Sequence, residues 1–353
     1  MAPPGARARA GAWLQRAARR LAGRPRPRLL VLFYHRVCLL ERDPQLLTVS
    51  PDHFAEHLTV LRDAGPVVDL RAGVAALAAG TLPDRAVAVT FDDGYADNCD
   101  VAAPLLERHA VPATVFVTTA GIDAGRELYW DEVERVLLCP GLLPRRLALG
   151  AGAARRTWYL GDAADYPPEE ERRHRGWNAT RRFAPTARHA AYRGLLAHLG
   201  GLGVAARAEL LRELRECADL GPEGRPSHAT LGTAALRQLA AGGHVAIGAH
   251  TVNHPRLARL PRPEQETEMT ASKLRLEALL GAPVTCFAYP FGHRGDYGPE
   301  TVAAARRAGF TVACTTEPGT VTAATSPLEL PRALVRDCSG RTFARRLERW
   351  WHA

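Results

Sequence analysis

Short apolar runs recur along two stretches of the chain, and most of them alternate with helix-like patterns. The runs, which are typical of buried strands, occupy 29–37, 67–70, 86–91, 113–122, 244–250, 284–290 and 310–316. The helix-like segments occupy 53–65, 98–110, 233–241, 263–280 and 299–308. Strands that read as continuous apolar runs and alternate with helices predict a parallel sheet covered on both faces. The number of these units fits an α/β barrel better than a small open sheet.

Residues 128–230 break this rhythm. They hold Arg-rich, helix-prone sequence such as 206–221, and irregular sequence rich in Pro, Glu and Arg at 161–189. We interpret 128–230 as a helix-rich insertion, acting either as a lid or as a surface elaboration without a catalytic role. The predicted division of the chain is a basic arm at 1–28, a first barrel part at 29–127, the insertion at 128–230, a second barrel part at 231–340, and an amphipathic Trp-rich tail at 341–353.

The composition is that of a globular protein, but the charge is unevenly placed. The 353 residues are 46% hydrophobic and carry a net charge of +9, and residues 1–28 alone contain eight arginines and no acid. The arm is interpreted as a disordered basic tail, or as a short amphipathic helix that contacts an anionic membrane surface. No nucleic-acid recognition motif follows it, so we expect no nucleic-acid partner.

The lack of a secretory signal pattern and the spacing of the cysteines both favour a cytoplasmic location. The basic start leads to no apolar stretch with a small-residue cleavage site, and the run at 29–33 is too short to span a bilayer. The seven cysteines are odd in number, widely spaced and without a CxxC pair, which predicts reduced thiols. We therefore expect a cytoplasmic protein that is membrane-peripheral if the arm binds lipid.

Polar residues collect where the predicted strands end. In parallel α/β folds the carboxyl ends of the strands form the active site. The residues placed there are Tyr34-His35-Arg36, Asp92-Asp93, His250 to His254, Tyr289-Pro290-Phe291-Gly292 and Arg332.

Two histidines and two aspartates of this set suggest a metal-assisted hydrolysis. His250 and His254 are four residues apart, a spacing that on a helical turn lets two imidazoles share one divalent metal. Asp93 adds an oxygen ligand, and three ligands leave positions open for water and substrate. Asp92 then remains off the metal and is available as a general base. A metal ion offsets the repulsion between the carboxylates of Asp92 and Asp93. The segment TFDDG alone is also compatible with a helix cap followed by a turn.

These residues resemble the polysaccharide deacetylase family. The family's first motif, TFDDG, stands at 90–94, its second, H-[ST]-x-x-H, stands at 250–254 as HTVNH, and the resemblance covers about 29–122 and 230–337. It implies a distorted (β/α) barrel, usually with seven strands, a metal that is usually zinc, and removal of the acetyl group from an N-acetylated sugar. Carried over by position, Asp92 is the implied base, and Asp93, His250 and His254 are the implied ligands.

Two departures from the family pattern point to a subgroup. The usual RxPY motif is replaced by AYPFG at 288–292, so its arginine is missing, and Arg332 is the candidate replacement. Phe291 aligns with the position whose backbone N–H helps to hold the oxyanion. The closing Leu-x-His motif, which supplies the general acid, is also absent. Poly-N-acetylglucosamine deacetylase-like proteins instead carry a Tyr-His-x-Val motif, present here as YHRV at 34–37, which makes His35 the implied acid.

The predicted function is a metal-dependent N-deacetylase that acts on an N-acetylhexosamine-containing glycan or glycoconjugate. Without a signal peptide, an oligosaccharide, lipid-linked or nucleotide-linked substrate is favoured over an external polymer. Trp130 and Tyr289 either stack on the sugar ring or pack in the core. The alternatives are an amidohydrolase that cleaves a non-sugar C–N bond, and a non-catalytic carbohydrate-binding protein on the same fold.

Overall fold

The computed structural model describes residues 27–352, which form a sheet of parallel strands covered by helices. The strands are β1 (Leu29–Tyr34), β2 (Arg36–Val37), β3 (Thr48–Val49), β4 (Ala86–Phe91), β5 (Ala113–Val117), β6 (Gly141–Leu142), β7 (Arg146–Leu149), β8 (Arg156–Tyr159), β9 (Asp165–Tyr166), β10 (Val245–Ala249), β11 (Cys286–Ala288), β12 (Val312–Cys314) and β13 (Ala333–Leu334). The helices are α1 (Pro51–Ala64), α2 (Leu70–Ala78), α3 (Ala103–Arg108), α4 (Tyr129–Leu138), α5 (Pro168–His174), α6 (Ala187–Leu199), α7 (Val204–Cys217), α8 (Thr233–Ala241), α9 (Arg262–Leu280), α10 (Pro299–Arg307) and α11 (Gly340–Trp351).

Seven strands form the main sheet in the order β12-β11-β10-β5-β4-β1-β13, and every pairing is parallel. All residues of β1 and β4 are buried, as expected for strands with helices on both faces. Leu330, just before β13, makes a parallel bridge to Cys314 of β12, so the last strand links the two edges of the sheet. The expected fold class, a distorted α/β barrel with seven strands and a helix-rich insertion, is confirmed.

One local prediction was wrong, and a second was right about the presence of a helix but not about its type. The run at 67–70 forms only a single bridge, from Val67 to Val87, because Asp69 caps α2 by accepting a hydrogen bond from the Ala72 N–H at 2.8 Å. The helix predicted at 98–110 is a π-helical turn (Asn98–Ala102) followed by the short α3. Pro104, which has no N–H, lies at the junction and removes one helical hydrogen bond.

The insertion contains its own apolar cluster. Helices α4, α6 and α7 bury Val133, Leu137, Leu195, Leu210 and Leu214 against one another. Two short antiparallel pairs, β6 with β9 and β7 with β8, lie in the same part of the chain. The first residues of α4 and the last residues of α6 reach the cavity described below.

The two ends of the chain differ in what can be described. The predicted tail forms α11, which packs on α1 through the stacked rings of Phe343 and His57, 4.1 Å apart. The predicted arm lies, except for its last two residues, outside the described residues. All seven cysteines are free thiols. Among the described residues, none of the helices combines the length and apolar composition that a bilayer crossing requires.

Candidate metal centre and active site

The carboxyl ends of the barrel strands open into a cavity of about 750 Å³. Most of the site residues expected from the sequence line it. They are His35, Asp92, Asp93, Trp130, His250, His254, Phe291 and Arg332. The topology explains this convergence, because side chains that follow parallel strands meet at one edge of the sheet.

Asp93, His250 and His254 form a compact group at the base of the cavity. The Asp93 Oδ1 atom lies 3.5 Å from Nε2 of each histidine, and the three ligand atoms lie within 4.8 Å of one another. All three side chains are buried. The Nδ1 atom of His250 lies 2.8 Å from the Ala288 carbonyl oxygen, a hydrogen bond that leaves Nε2 with its lone pair directed at the cavity. One carboxylate and two imidazoles held in this way fit a divalent metal ion of the zinc type.

The segment His250–His254 is a loop, not the helical turn that the spacing of the histidines suggested. Thr251 and His254 have φ angles of 65° and 53°, which no helix contains. With Asp93 at 76° and Phe291 at 61°, four non-glycine residues at this site adopt left-handed backbone conformations. Such conformations persist only where surrounding contacts hold them.

Glu268 of α9 supplies one of these contacts. Its carboxylate accepts hydrogen bonds from the N–H groups of Val252 and Asn253, both at 2.9 Å, and from the Asn253 side-chain amide at 2.7 Å. A carboxylate of the barrel thus holds the loop through backbone N–H groups of the loop.

Asp92 is held separately from the metal group, by Arg332. The guanidinium donates two parallel hydrogen bonds to the carboxylate, at 2.8 and 2.7 Å, and the Arg332 side chain is fully buried. Its Nε–H donates to the Thr315 carbonyl oxygen at 2.8 Å, which fixes the plane of the fork. Burial by itself raises the pKa of Asp92, but the charge and hydrogen bonds of Arg332, together with the nearby His250 and His35, outweigh burial and keep that pKa below its usual value.

The turn after the two aspartates requires glycine. Gly94 has a φ of 77°, and a Cβ atom there would lie 3.0 Å from Cγ1 and 3.2 Å from Cα of Val117. Within the described residues, neither the Asp92 nor the Asp93 carboxylate makes a helix-capping hydrogen bond. The helix-cap interpretation of TFDDG is therefore wrong, and the glycine serves a tight turn against β5.

His35 follows β1 and is positioned by the residues just beyond the double aspartate. Asp97 accepts hydrogen bonds from the Val37 N–H at 3.0 Å and from Arg36 Nε at 2.9 Å, while the Asn98 amide donates to the His35 carbonyl at 2.9 Å. Among the described residues, the buried Nδ1 atom of His35 has no hydrogen-bond partner. The two sequence motifs YHRV and TFDDG are also joined directly, because the Asp92 N–H donates to the Tyr34 carbonyl oxygen at 3.0 Å.

Trp130 and Phe291 border the metal group. The Trp130 indole lies with its ring centre 4.8 Å from that of His254, and its Nε1–H donates to the Tyr95 hydroxyl at 2.7 Å. The Phe291 ring lies 4.9 Å from that of His254. Within the described part of the chain, the Phe291 N–H donates no hydrogen bond, which leaves this backbone donor available.

Tyr289 does not reach the cavity. Its side chain is buried, stacks on Tyr297 with ring centres 4.7 Å apart, and donates its hydroxyl hydrogen to the Leu328 carbonyl at 3.0 Å. The suggested stacking of Tyr289 on a sugar is therefore wrong, and the alternative of packing in the core is observed, because this residue directly after β11 packs against Phe287.

Several cavity residues were not singled out from the sequence. Tyr129, Arg256, Arg336 and Trp350 line the same space as the metal group. The Arg256 guanidinium lies 3.8 Å from the centre of the Phe291 ring. None of these residues stands in a motif, and Trp350 arrives from α11 at the far end of the chain, so no local pattern pointed to them.

Comparisons with known proteins agree with this geometry. The family model described as polysaccharide deacetylase matches residues 79–179 and 224–313, together more than half of the chain. The relative YxkH of Bacillus subtilis (strain 168), named for the same family, is 33% identical over 84 residues. That match covers 24% of this chain and 29% of the relative, so it spans less than a third of the relative's length.

Solved structures share the fold along most of the chain. The Streptococcus pyogenes deacetylase PplD is 20% identical with a TM-score of 0.52, and the alignment covers 91% of this chain and 98% of that one. IcaB from Ammonifex degensii is 18% identical with a TM-score of 0.54, and the alignment covers 93% and 98%. At these identities the likeness is one of fold.

We predict that the purified protein binds one divalent metal ion through Asp93, His250 and His254. His250→Ala removes one of three ligands and should weaken binding about 100-fold or more, beyond the loss typical of changes around a metal site. His293→Ala is the matched control, because this exposed histidine lines the cavity but lies outside the ligand group. Competition with a chelating dye measures both affinities, and equal losses in the two variants would contradict the assignment.

Proposed function

The chain belongs to the polysaccharide deacetylase family of hydrolases that act on carbon–nitrogen bonds, and we propose that it is a metal-dependent N-deacetylase of N-acetylhexosamine units. The observation that carries the proposal is the convergence in one cavity of a buried Asp-His-His group, a carboxylate paired with a buried arginine, and a histidine. A non-catalytic carbohydrate-binding protein has no need of this combination.

Each residue then has a separate task. Zinc, held by Asp93, His250 and His254, would supply a Lewis acid that polarises the acetyl carbonyl and acidifies water. Asp92, kept ionised and oriented by Arg332, takes the proton from the attacking water. The backbone N–H of Phe291 donates to the oxygen that gains negative charge. His35 gives a proton to the amine nitrogen as the C–N bond breaks, so the products are acetate and a free amino sugar.

The substrate we propose is an N-acetylhexosamine-containing oligosaccharide, or a lipid-linked or nucleotide-linked glycoconjugate. A cavity of about 750 Å³ has room for more than one sugar ring, and the indoles of Trp130 and Trp350 at its wall are suited to packing against them. The related S. pyogenes deacetylase was solved in complex with acetate, the product expected here. We further propose that the protein acts in the cytoplasm, with peripheral membrane contact through residues 1–28.

The proposed reaction predicts acetate release from N-acetylglucosamine glycans. The measurement compares the zinc-loaded protein on N-acetylglucosamine oligosaccharides, on lipid-linked and nucleotide-linked N-acetylhexosamines, and on small non-sugar amides. We expect release from at least one sugar substrate, and none from the His250→Ala variant. Release from the non-sugar amides alone would instead identify an amidohydrolase of a different substrate class.

The Arg332–Asp92 pair predicts a change in the pH profile. Because Arg332 lowers the pKa of Asp92 and the base must be ionised, a weaker pair moves the acid limb of kcat/KM to higher pH. Arg332→Lys retains the charge but loses the planar fork, whereas Arg332→Met would leave a buried carboxylate unpaired at a cost of about 3–5 kcal/mol of stability. We therefore expect Arg332→Lys to stay folded and to shift the acid limb upward.

Two further variants complete this test. Arg36→Lys is the matched control, since Arg36 is also buried and paired with a carboxylate, that of Asp97 at 2.9 Å, and it should leave the acid limb in place. His35→Ala should lower the rate about 100-fold or more by removing the acid. An unchanged acid limb in Arg332→Lys, or a near-normal rate in His35→Ala, would contradict the role of that residue.

A further inference from the structure

The loop that carries His250 and His254 is held from two sides by different parts of the chain. Glu268 of α9 binds its backbone N–H groups, as described above. From the insertion, Arg207 of α7 donates from Nη2 to the Asn253 carbonyl oxygen at 2.5 Å and from Nη1 to the His254 carbonyl oxygen at 3.4 Å. The N–H groups of Val252 and Asn253 are thus bound by the barrel, and the carbonyls of Asn253 and His254 by the insertion.

Arg207 is buried in an unusual setting for a cation. Its side chain is 5% exposed, and the guanidinium lies over the Tyr129 ring, 4.6 Å from the ring centre. Within the described residues, no carboxylate forms a salt bridge with it, and burial lowers the pKa of Arg207 from its ordinary value. A buried charge without a carboxylate destabilises a fold unless strong acceptors replace water. Here the hydrogen-bond acceptors are the carbonyl groups of the metal-binding loop.

The placement of those carbonyls decides where a ligand points. The φ angles of Thr251 and His254 are both positive, so the loop tends to relax to another conformation when its contacts are lost. A change in the backbone at His254 moves its Nε2 atom, because the ring is held by packing against Trp130 and Phe291 and, among the described residues, its buried Nδ1 atom has no hydrogen-bond partner.

We propose that Arg207 is a positioning residue for the metal centre, so that the insertion completes the metal site. This inference rests on the metal site of the proposed function but does not depend on the reaction. It gives the insertion a role beyond surface elaboration, because a helix far from the metal motifs in sequence holds the backbone of one ligand.

The same helix offers a matched control. Arg215 lies eight residues further along α7 and pairs with Glu132 of α4 at 2.6 Å, within the insertion. Among the described residues, it makes no hydrogen bond to the metal-binding loop. Replacing Arg215 therefore perturbs the same helix without touching residues 250–254.

The test is the metal affinity of the full chain in the variants Arg207→Met and Arg215→Met. Methionine keeps the apolar stem of arginine and removes the guanidinium, so the carbonyls of residues 253 and 254 lose their donors. We expect Arg207→Met to bind zinc about 10-fold or more weakly, in the range typical of residues that support metal ligands, and Arg215→Met to bind as the wild type does. The absorption spectrum of the cobalt-loaded protein should change in Arg207→Met alone.

A third variant covers the case in which Arg207→Met does not fold. Arg207→Lys keeps the charge but lacks a planar fork that reaches two carbonyls, so we expect an affinity between those of the wild type and the methionine variant. Wild-type affinity in a folded Arg207 variant, or equal losses in Arg207→Met and Arg215→Met, would overturn the inference while leaving the proposed function intact. A wild-type protein that binds no divalent metal would overturn both.

Discussion

The structure depends on keeping two adjacent, buried carboxylates in different roles. Asp92 and Asp93 follow β4 side by side, and both are almost fully buried, so their mutual repulsion must be compensated. Arg332 neutralises Asp92 through a bidentate pair, while Asp93 faces two imidazole nitrogens at 3.5 Å. The two carboxylates therefore differ chemically. Asp92 is paired with a permanent charge, and Asp93 is available to a cation.

The pairing of Asp92 with Arg332 requires the barrel to close. Arg332 stands just before β13, the strand that links β12 to β1, so closure brings the counter-charge to Asp92. The first strand brings His35 to the same edge, and β10 brings the two histidines. Fold and site therefore depend on each other, because the loss of barrel closure also removes the charged partner of Asp92.

The site also stores backbone strain that distant contacts hold in place. Asp93, Thr251, His254 and Phe291 adopt left-handed conformations that bulky residues avoid. Hydrogen bonds to Glu268 and from Arg207 stabilise this arrangement, which positions the side chains of His250 and His254 next to Asp93. Many buried polar contacts of the fold thus lie around a few reactive groups and hold these groups in position in advance.

The sequence predicts local features of this protein well and long-range ones poorly. The motifs at 90–94 and 250–254 and the continuous apolar runs are local signals, and they predicted the barrel and the residues that meet in the cavity. The helical turn inferred for His250 and His254 was wrong, because spacing alone does not report φ. Of the two roles considered for Tyr289, packing in the core is the one observed, since a position just after a strand does not report which way a side chain points. Arg207 and Trp350 reach the site only through tertiary packing, for which a single sequence contains no signal.

The most direct test of the account compares Asp92→Asn with Asp93→Asn for metal affinity and acetate release in parallel. We predict that Asp92→Asn binds metal as the wild type does and loses about 100-fold or more of its rate, while Asp93→Asn loses metal affinity and activity together. Loss of metal from Asp92→Asn, or unchanged metal affinity in Asp93→Asn, would contradict the division of roles between the two aspartates.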